Sequence, residues 1–204
     1  MSVKLYFVRH GQSIANLSGR FHDAPEAPLT GLGHSQAVSA GHDLMCRLGS
    51  DKIDQVFSSP YIRALQTCHI ALIGAGYSNL KPIVDERISE RKFGRLVGMF
   101  FDRDVAIQNN LESKLIPEGY HAKLWNYYSD FAERYDAEPL TVLETRARAF
   151  FGDIKKEYDG KTIVVFSHGG FGQMAQALFN GFPEDGDFEA IRFMQNGEVI
   201  EFDY

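Results

Sequence analysis

The chain has little cysteine, no long apolar run and no excess of positive charge. Its 204 residues include two cysteines, Cys46 and Cys68, and these have no CxxC spacing. This pattern argues against a cysteine metal site and indicates reduced thiols in or near the core. No segment approaches the roughly 18 consecutive apolar residues that a membrane-spanning helix needs.

The charge balance is acidic, with a formal net charge of −6 at pH 7. Such a charge argues against nucleic acid or an anionic membrane as the partner, but it leaves room for a small basic pocket. The N-terminus lacks a charged stretch followed by a long apolar run, so we expect no signal peptide and a cytoplasmic protein.

Strand-like and helix-like segments alternate along the chain. Apolar, β-rich runs lie at residues 3–8, 53–57, 162–166, 190–194 and 198–202, with a weaker one at 81–84. The alternation predicts an α/β protein, a three-layer α/β/α sandwich with a mainly parallel sheet. The last two runs are separated by Gln-Asn-Gly, a turn signal that predicts a hairpin and hence an antiparallel edge strand.

Helix starts are marked by residues that commonly cap helices. Thr30 is a candidate N-cap, before a helix whose apolar face is marked by Leu32, Val38, Leu44, Met45 and Leu48. Ser59 with Pro60 predicts the next helix, and Thr141 with Glu144 resembles a capping box. A further helix is expected after the Ser-His-Gly-Gly stretch at 167–170 and should run to about Phe179.

Residues 92–140 do not match a strand-helix-strand unit. They contain two aromatic-rich helical candidates, at 98–108 and 120–135. We interpret the chain as one domain, 1–204, in which 92–140 is a helical insertion that caps one end of the sheet over the active site.

Two histidines each follow a predicted strand and each precede a glycine. They are His10 and His168. Because parallel strands bring their carboxyl ends to one edge of the sheet, these side chains are expected to meet in a ligand crevice. Arg9 ends the first strand, and Arg63 lies in the first turn of a helix that points back toward the same edge. Two guanidiniums at that edge would suit the oxygens of a phosphoryl group.

The chemistry implied is phosphoryl transfer without a metal or another cofactor. No HExxH or P-loop motif is present, so the arginines would supply the positive charge. A histidine can serve as the nucleophile, provided that it is neutral. The leaving group also needs a proton donor, and the residue chemistry leaves three candidates open, namely Asp85, Glu86 and Glu90.

Four motifs occur in the order found in one enzyme family. They are "RHGQS.AN" near the N-terminus, "SSPYIRALQT", "ISERKFG" and "FSHGG". With "RF…PLTGLGHSQA", they make nearly the whole chain resemble the histidine phosphatase superfamily, in the branch that contains the phosphoglycerate mutases. The resemblance implies that His10 is phosphorylated and that Glu90 is the proton donor.

The same resemblance implies the roles of the surrounding residues. Arg9, Arg63 and His168 would form the phosphate pocket, and Asn16 would help to bind the phosphoryl group. Gly11 and Gly169, which follow the two histidines, are expected to let a phosphoryl group approach the backbone closely. His22 is a candidate either for substrate contact or for an exposed loop position.

The sequence favours a phosphatase acting on a small phosphorylated molecule over a mutase. Mutases of this family resemble one another after "RF", where a small hydroxyl residue and a glycine contact the substrate, whereas here His22 and Asp23 follow Phe21. Phe101 stands where those mutases carry a substrate-binding lysine. Phosphoglycerate mutase is the alternative enzyme function, and an inactive binding or regulatory protein is the alternative of another class.

Two features leave alternatives open. The aromatic residues around Met99, Phe100 and Phe101 would either form core between the insertion and the sheet or accept a ring-bearing leaving group. The C-terminal strands are candidates for a free sheet edge or for a homodimer contact.

Overall fold

The computed structural model describes residues 2–22, 24–101, 115 and 123–204. Within this part of the chain one sheet contains strands β1 (Lys4–Arg9), β2 (Gln55–Ser58), β3 (Ile83–Val84), β4 (Thr162–Ser167) and β5 (Val199–Asp203). The strand order is β3–β2–β4–β1–β5, and only the β1–β5 pair is antiparallel. The predicted parallel sheet with an antiparallel edge is confirmed.

Helices cover both faces of this sheet. The helices in the described part of the chain are α1 (Ile14–Leu17), α2 (Gly31–Leu48), α3 (Ile62–Gly74), α4 (Phe131–Arg134), α5 (Leu140–Glu157) and α6 (Gly169–Asn180). Of these, α2 and α3 lie against one face of the sheet, and α5 and α6 lie against the other. Because successive strand residues point to opposite faces of the sheet, β1 contributes side chains to two hydrophobic cores, one on each face. Tyr6 and Val8 pack with α2 and α3, whereas Leu5 and Phe7 pack with α5 and α6. The three-layer sandwich is therefore confirmed.

Of the predicted helix caps, one is confirmed and two are wrong. The Thr30 side chain accepts a hydrogen bond from the Gly33 N–H at 3.0 Å and caps α2. Helix α3 starts two residues later than predicted, because the Ser59 hydroxyl lies 2.7 Å from His168 Nε2. Helix α5 begins at Leu140, so Thr141 lies inside its first turn and forms no capping box.

The predicted strand at 190–194 is also wrong. Gln173 of α6 donates hydrogen bonds to the carbonyls of Phe188 and Ile191, and Gln176 donates one to the Arg192 carbonyl. These side chains satisfy backbone groups that a strand would pair in a ladder. The turn at 195–197 does form, with Gly197 at φ 77°, and it leads directly into β5 beside β1.

Helix α2 packs through small residues rather than through the whole predicted apolar face. Leu32, Val38 and Met45 are exposed, as is Cys46, which is therefore not a core thiol. A Cβ atom on Gly41 would lie 2.4 Å from the Ala71 carbonyl oxygen, so α2 and α3 approach each other closely. Cys68 is buried as predicted, and burial raises the pKa of its thiol to about 12.

Much of the predicted insertion lies outside the described residues. The candidate helix at 98–108 is described only to residue 101, and those residues are not helical. The candidate helix at 120–135 is described from residue 123 and contains α4. Earlier in the predicted insertion, Gly94–Leu96 forms a 3₁₀ turn. The helical cap over 92–140 stays a prediction. Among the described helices, none is long and apolar enough to cross a membrane.

Candidate active site

The two strand-end histidines meet at the carboxyl edge of the sheet. β1 and β4 are adjacent and parallel, with Arg9 in register with Ser167, so His10 and His168 leave neighbouring strands at the same level. Their ring centroids are 5.1 Å apart, and both side chains are buried. The pairing of strands thus explains how residues 158 positions apart form one site.

Two arginines converge on His10 as the sequence predicts. Arg63 is buried in the first turn of α3, and its Nε donates a hydrogen bond to His10 Nε2 at 3.1 Å. Its Nη1 donates to the Ala24 carbonyl at 2.7 Å, which fixes the guanidinium. Arg9 donates to the Met194 carbonyl and lies 4.6 Å from the centroid of the Phe193 ring.

His10 is held in the neutral form that a nucleophile requires. Its Nδ1 lies 2.7 Å from the Gly11 carbonyl oxygen, so we assign the proton to Nδ1 and the free electron pair to Nε2. Burial lowers the pKa of His10 well below its usual range, and Arg63 and Arg9 lower that pKa further. His10 is therefore neutral at neutral pH, with its proton on Nδ1 and its Nε2 lone pair toward Arg63.

His168 is neutral for the same reasons. Burial is the largest cause of its lowered pKa, followed by the charge on Arg63. Its Nε2 is paired with Ser59, whereas Nδ1 has no hydrogen-bond partner among the described residues. The pKa of Arg9 falls to about 10, mainly through burial, so Arg9 stays charged at neutral pH.

Asn16 reaches the site from α1, with its amide oriented by the helix cap. Its Oδ1 accepts hydrogen bonds from the Ser13 N–H at 2.9 Å and the Ser13 hydroxyl at 3.0 Å. Because Oδ1 is held by this capping box, the NH₂ group is the part of the amide available to a ligand. Asn16 lines the cavity beside His10, where an N–H donor would suit a phosphoryl oxygen.

The structure separates the three carboxylates that residue chemistry left open. Asp85 caps a 3₁₀ turn and pairs with Arg87 at 2.7 Å, and Glu86 is exposed. Glu90 lines the cavity with His10. Its carboxylate accepts hydrogen bonds from the N–H groups of Gly170 at 3.2 Å and Phe171 at 3.3 Å, at the start of α6. Among these three, Glu90 has the position of a proton donor.

Arg146 of α5 holds the segment that carries Glu90. Its guanidinium donates to the carbonyls of Arg87 at 2.6 Å, Ser89 at 2.7 Å and Glu90 at 3.3 Å. It also pairs with the Glu138 carboxylate at 2.7 Å. Five donors in one planar group can satisfy this many acceptors at once, so one partly buried arginine fixes the whole turn.

Three glycines shape the site by close packing. A Cβ atom on Gly11 would lie 2.4 Å from the Gly33 carbonyl oxygen, which explains the glycine after His10. On Gly169 it would meet the Phe193 ring at 2.3 Å, and on Gly170 it would meet Glu90 Oε1 at 2.6 Å. Gly11 and Gly169 are not among the described residues that line the cavity, so a direct substrate contact by either stays a prediction.

A cavity of about 450 Å³ opens in front of His10. Rings from several segments line it, namely Phe21, Phe93, Phe101, Trp125 and Phe193. Phe100 is instead buried in the core, whereas Phe101 lines the cavity, and its contact with a leaving group stays a prediction. His22 also lines the cavity, within hydrogen-bonding reach of the Ser18 hydroxyl, and its contact with substrate stays a prediction.

Several supporting residues escaped the sequence reasoning. Thr67 accepts a hydrogen bond from the Gly11 N–H at 3.0 Å, and Ser167 donates to the Ile88 carbonyl at 2.7 Å. Ser59 and Thr67 lie within a quoted motif, which was a usable signal. Arg146 lies outside every quoted motif, and only the fold brings it to the site, whereas Arg20 begins the quoted "RF" stretch. In the described ranges, no group of three or more histidine, cysteine or acidic residues could hold a metal ion.

Comparison with solved structures shows the same fold. Mycobacterial hydrolase 1 superposes with a TM-score of 0.77 at 20% identity, covering 98% of this chain and 91% of that one. A phosphoglycerate mutase from Bacillus anthracis gives a TM-score of 0.72 at 20% identity, covering 100% and 88% of the two chains. At this identity the likeness concerns the fold alone.

Sequence comparison goes further. A 2,3-bisphosphoglycerate-dependent phosphoglycerate mutase of Mesorhizobium japonicum is 41% identical over 176 residues, or 83% of this chain and 77% of that protein. The profile of the histidine phosphatase superfamily (branch 1) matches residues 5–204. The chain therefore belongs to the histidine phosphatase superfamily and is a phosphoryl-transfer enzyme.

Proposed function

We propose that the protein is a metal-independent phosphomonoesterase that acts on a small phosphate ester through phosphorylated His10. The observation that carries the proposal is the buried, neutral His10, with two arginines beside it and Glu90 across the same cavity. Fixed positive charge at the phosphoryl oxygens stabilises the charge of the transition state. The site thus has a nucleophile, an electrostatic clamp and an acid.

In the first step, His10 Nε2 attacks phosphorus as the bond from phosphorus to the leaving oxygen breaks. Before substrate binds, Arg63 donates a hydrogen bond to His10 Nε2. The phosphoryl oxygens must therefore draw the guanidinium away before the Nε2 lone pair can attack. Protonated Glu90 gives its proton to the leaving oxygen, and an alcohol departs. His10 then carries the phosphoryl group, and Glu90 is a carboxylate.

In the second step, a water molecule replaces the alcohol. The Glu90 carboxylate takes one proton from water, whose oxygen attacks phosphorus as the bond from phosphorus to Nε2 breaks. Inorganic phosphate leaves, and both His10 and Glu90 return to their starting states. The N–H donors at the start of α6 hold the Glu90 carboxylate near this position.

The test is hydrolysis of an aryl phosphate in the presence of a chelator. We expect phosphate release to continue with EDTA and to be lost in His10→Ala. Acid-quenched wild-type protein should carry acid-labile phosphate on His10, as detected by mass spectrometry. A strict requirement for Mg²⁺, or full activity in His10→Ala, would contradict the proposal.

Phosphoglycerate mutase is the second candidate. It is favoured by the names of relatives from Mesorhizobium japonicum and Streptococcus gordonii, which are 41% and 30% identical to this chain. Against it, Phe101 lines the cavity at the place predicted for a substrate-binding lysine. The mutase would interconvert 2- and 3-phosphoglycerate with stimulation by the bisphosphate. Aryl phosphatase activity without this interconversion would remove the mutase.

A further inference from the structure

The cavity is larger than phosphoryl chemistry requires. A volume of about 450 Å³ lies within the range of pockets that enclose whole small molecules. The phosphoryl group would occupy only the end formed by His10 and its arginines. The remaining space is lined by rings, so it would surround the leaving group.

Among the described residues, four arginines line this cavity, and three of them have assigned partners. Arg9 and Arg63 lie at the His10 end. Arg192 forms an ion pair with the Glu198 carboxylate, with Nη1 to Oε2 at 3.0 Å. Arg20 forms no ion pair with any described carboxylate, including Glu189 in the same cavity wall.

Arg20 is nevertheless held in place. Its backbone forms an antiparallel bridge with Phe100, flanked by hydrogen bonds from Phe21 to Met99 at 3.0 Å and from Phe101 to Gly19 at 3.1 Å. Its guanidinium carbon lies 4.1 Å from the centroid of the Phe100 ring. A guanidinium that stacks on a ring through one face keeps its N–H edge for hydrogen bonds, and that edge can bind an anion in two places.

We propose that Arg20 binds a second anionic group, a carboxylate or a phosphate, on the leaving group of the substrate. The apolar or ring-bearing body of that leaving group packs against Phe21 and Phe93, whose ring centroids are 4.8 Å apart. The substrate class is then a phosphomonoester that joins a ring or apolar body to a second acid. The inference rests on the phosphatase activity proposed above.

A pair of synthetic esters tests this inference. 3-Carboxyphenyl phosphate carries the second anion, and its carboxyl methyl ester is a neutral analogue of similar shape. We expect wild type to prefer the carboxylate in kcat/KM by about tenfold or more, as for a charge-assisted hydrogen bond. Arg20→Gln should reduce this ratio to near one, and Arg20→Lys should retain part of it.

Arg47→Gln is the matched control, because Arg47 pairs with Asp43 on the outer side of α2, outside the cavity wall. It should keep the wild-type ratio. A ratio unchanged by Arg20→Gln, or a wild type that hydrolyses both esters equally well, overturns the role of Arg20 and leaves the phosphatase intact. A wild type that hydrolyses neither ester counts against the phosphatase itself.

Discussion

At the scale of single residues, the proposed mechanism requires Glu90 to be both an acid and a base. The Glu90 carboxylate lines the cavity, whereas Asp85 and Glu86 do not. We expect Glu90→Gln to lower kcat/KM, which reports the transfer to His10 and not the shared hydrolysis step, by about 10²–10⁴-fold for an alkyl phosphate, whose leaving group needs a proton. The loss should be smaller for 4-nitrophenyl phosphate, because that leaving group departs without protonation.

The matched control for this prediction is Glu86→Gln, which changes an exposed carboxylate four residues away on the same segment. It should leave both rates near the wild-type values. An equal loss in kcat/KM on the two substrates in Glu90→Gln would show that Glu90 does not act as the acid.

The two buried histidines make stability depend on pH. Because the pKa of each is lowered in the folded state, the unfolded chain binds more protons as the pH falls below about 6.5. Their contribution is therefore present above about pH 6.5 and declines below it, by up to about 1.4 kcal/mol per pH unit for each histidine. Urea unfolding between about pH 7 and pH 5 measures this decline.

Variants separate this effect from ordinary acid denaturation by carboxylates. His10→Gln should lose less stability over that pH range than wild type does. His42→Gln, which removes an exposed histidine on α2, should lose as much as wild type. Identical losses in wild type and His10→Gln would contradict the assignment of a lowered pKa to His10.

At the scale of elements, α5 controls the Glu90 turn through Arg146. Removing its guanidinium in Arg146→Met frees the carbonyls of Arg87, Ser89 and Glu90. We expect kcat/KM for an alkyl phosphate to fall about tenfold or more, with a smaller fall for 4-nitrophenyl phosphate, since misplaced catalytic groups transfer protons poorly. Steady-state kinetics on both substrates measures the difference.

Arg148→Met provides the control within the same helix. Arg148 is exposed, with 61% of its side chain accessible, and it pairs with Glu144 four residues earlier. This variant should keep the wild-type ratio of kcat/KM for the alkyl phosphate to kcat/KM for 4-nitrophenyl phosphate. If Arg146→Met lowers stability without changing that ratio, its role is structural and the positioning of Glu90 does not depend on it.

Elements also show which parts of the fold were predictable. The strands at 3–8 and 162–166 were predictable because apolar runs end there in Arg-His and Ser-His, and parallel pairing brings these ends together. The start of α3 was not predictable, because the Ser59 hydroxyl pairs with His168 instead of capping the helix. The segment 190–194 has a strand-like composition, but α6 glutamines bind its carbonyls. Both errors come from tertiary partners that local sequence does not reveal.

At the scale of the whole molecule, β1 and β4 contribute side chains to both cores. A chain whose two cores share strands should unfold in one cooperative step. Leu44→Ala removes a buried side chain between α2 and the sheet and should cost about 2–5 kcal/mol. Trp125, the single tryptophan, lies in the opposite core and reports on it by fluorescence.

We therefore expect Leu44→Ala to shift the urea midpoint equally when followed by Trp125 fluorescence and by far-UV circular dichroism. Met45→Ala, one residue along α2 but exposed, should shift neither signal appreciably. If fluorescence and circular dichroism gave different urea midpoints for the Leu44→Ala variant, the chain would contain two independent folding units, and this result would contradict a single domain.

The hydrogen bond from Arg63 to His10 has a consequence for selectivity among reagents. In the resting enzyme the attacking electron pair is already engaged, at 3.1 Å from the guanidinium nitrogen. An uncharged electrophile must break that bond and offers nothing in exchange, whereas a phosphate ester gives the guanidinium new acceptors as it delivers phosphorus. In the proposed mechanism the nucleophile is thus latent, and its own substrate unmasks it. Chemoselectivity would then be set by the arginine beside the histidine as much as by the histidine itself.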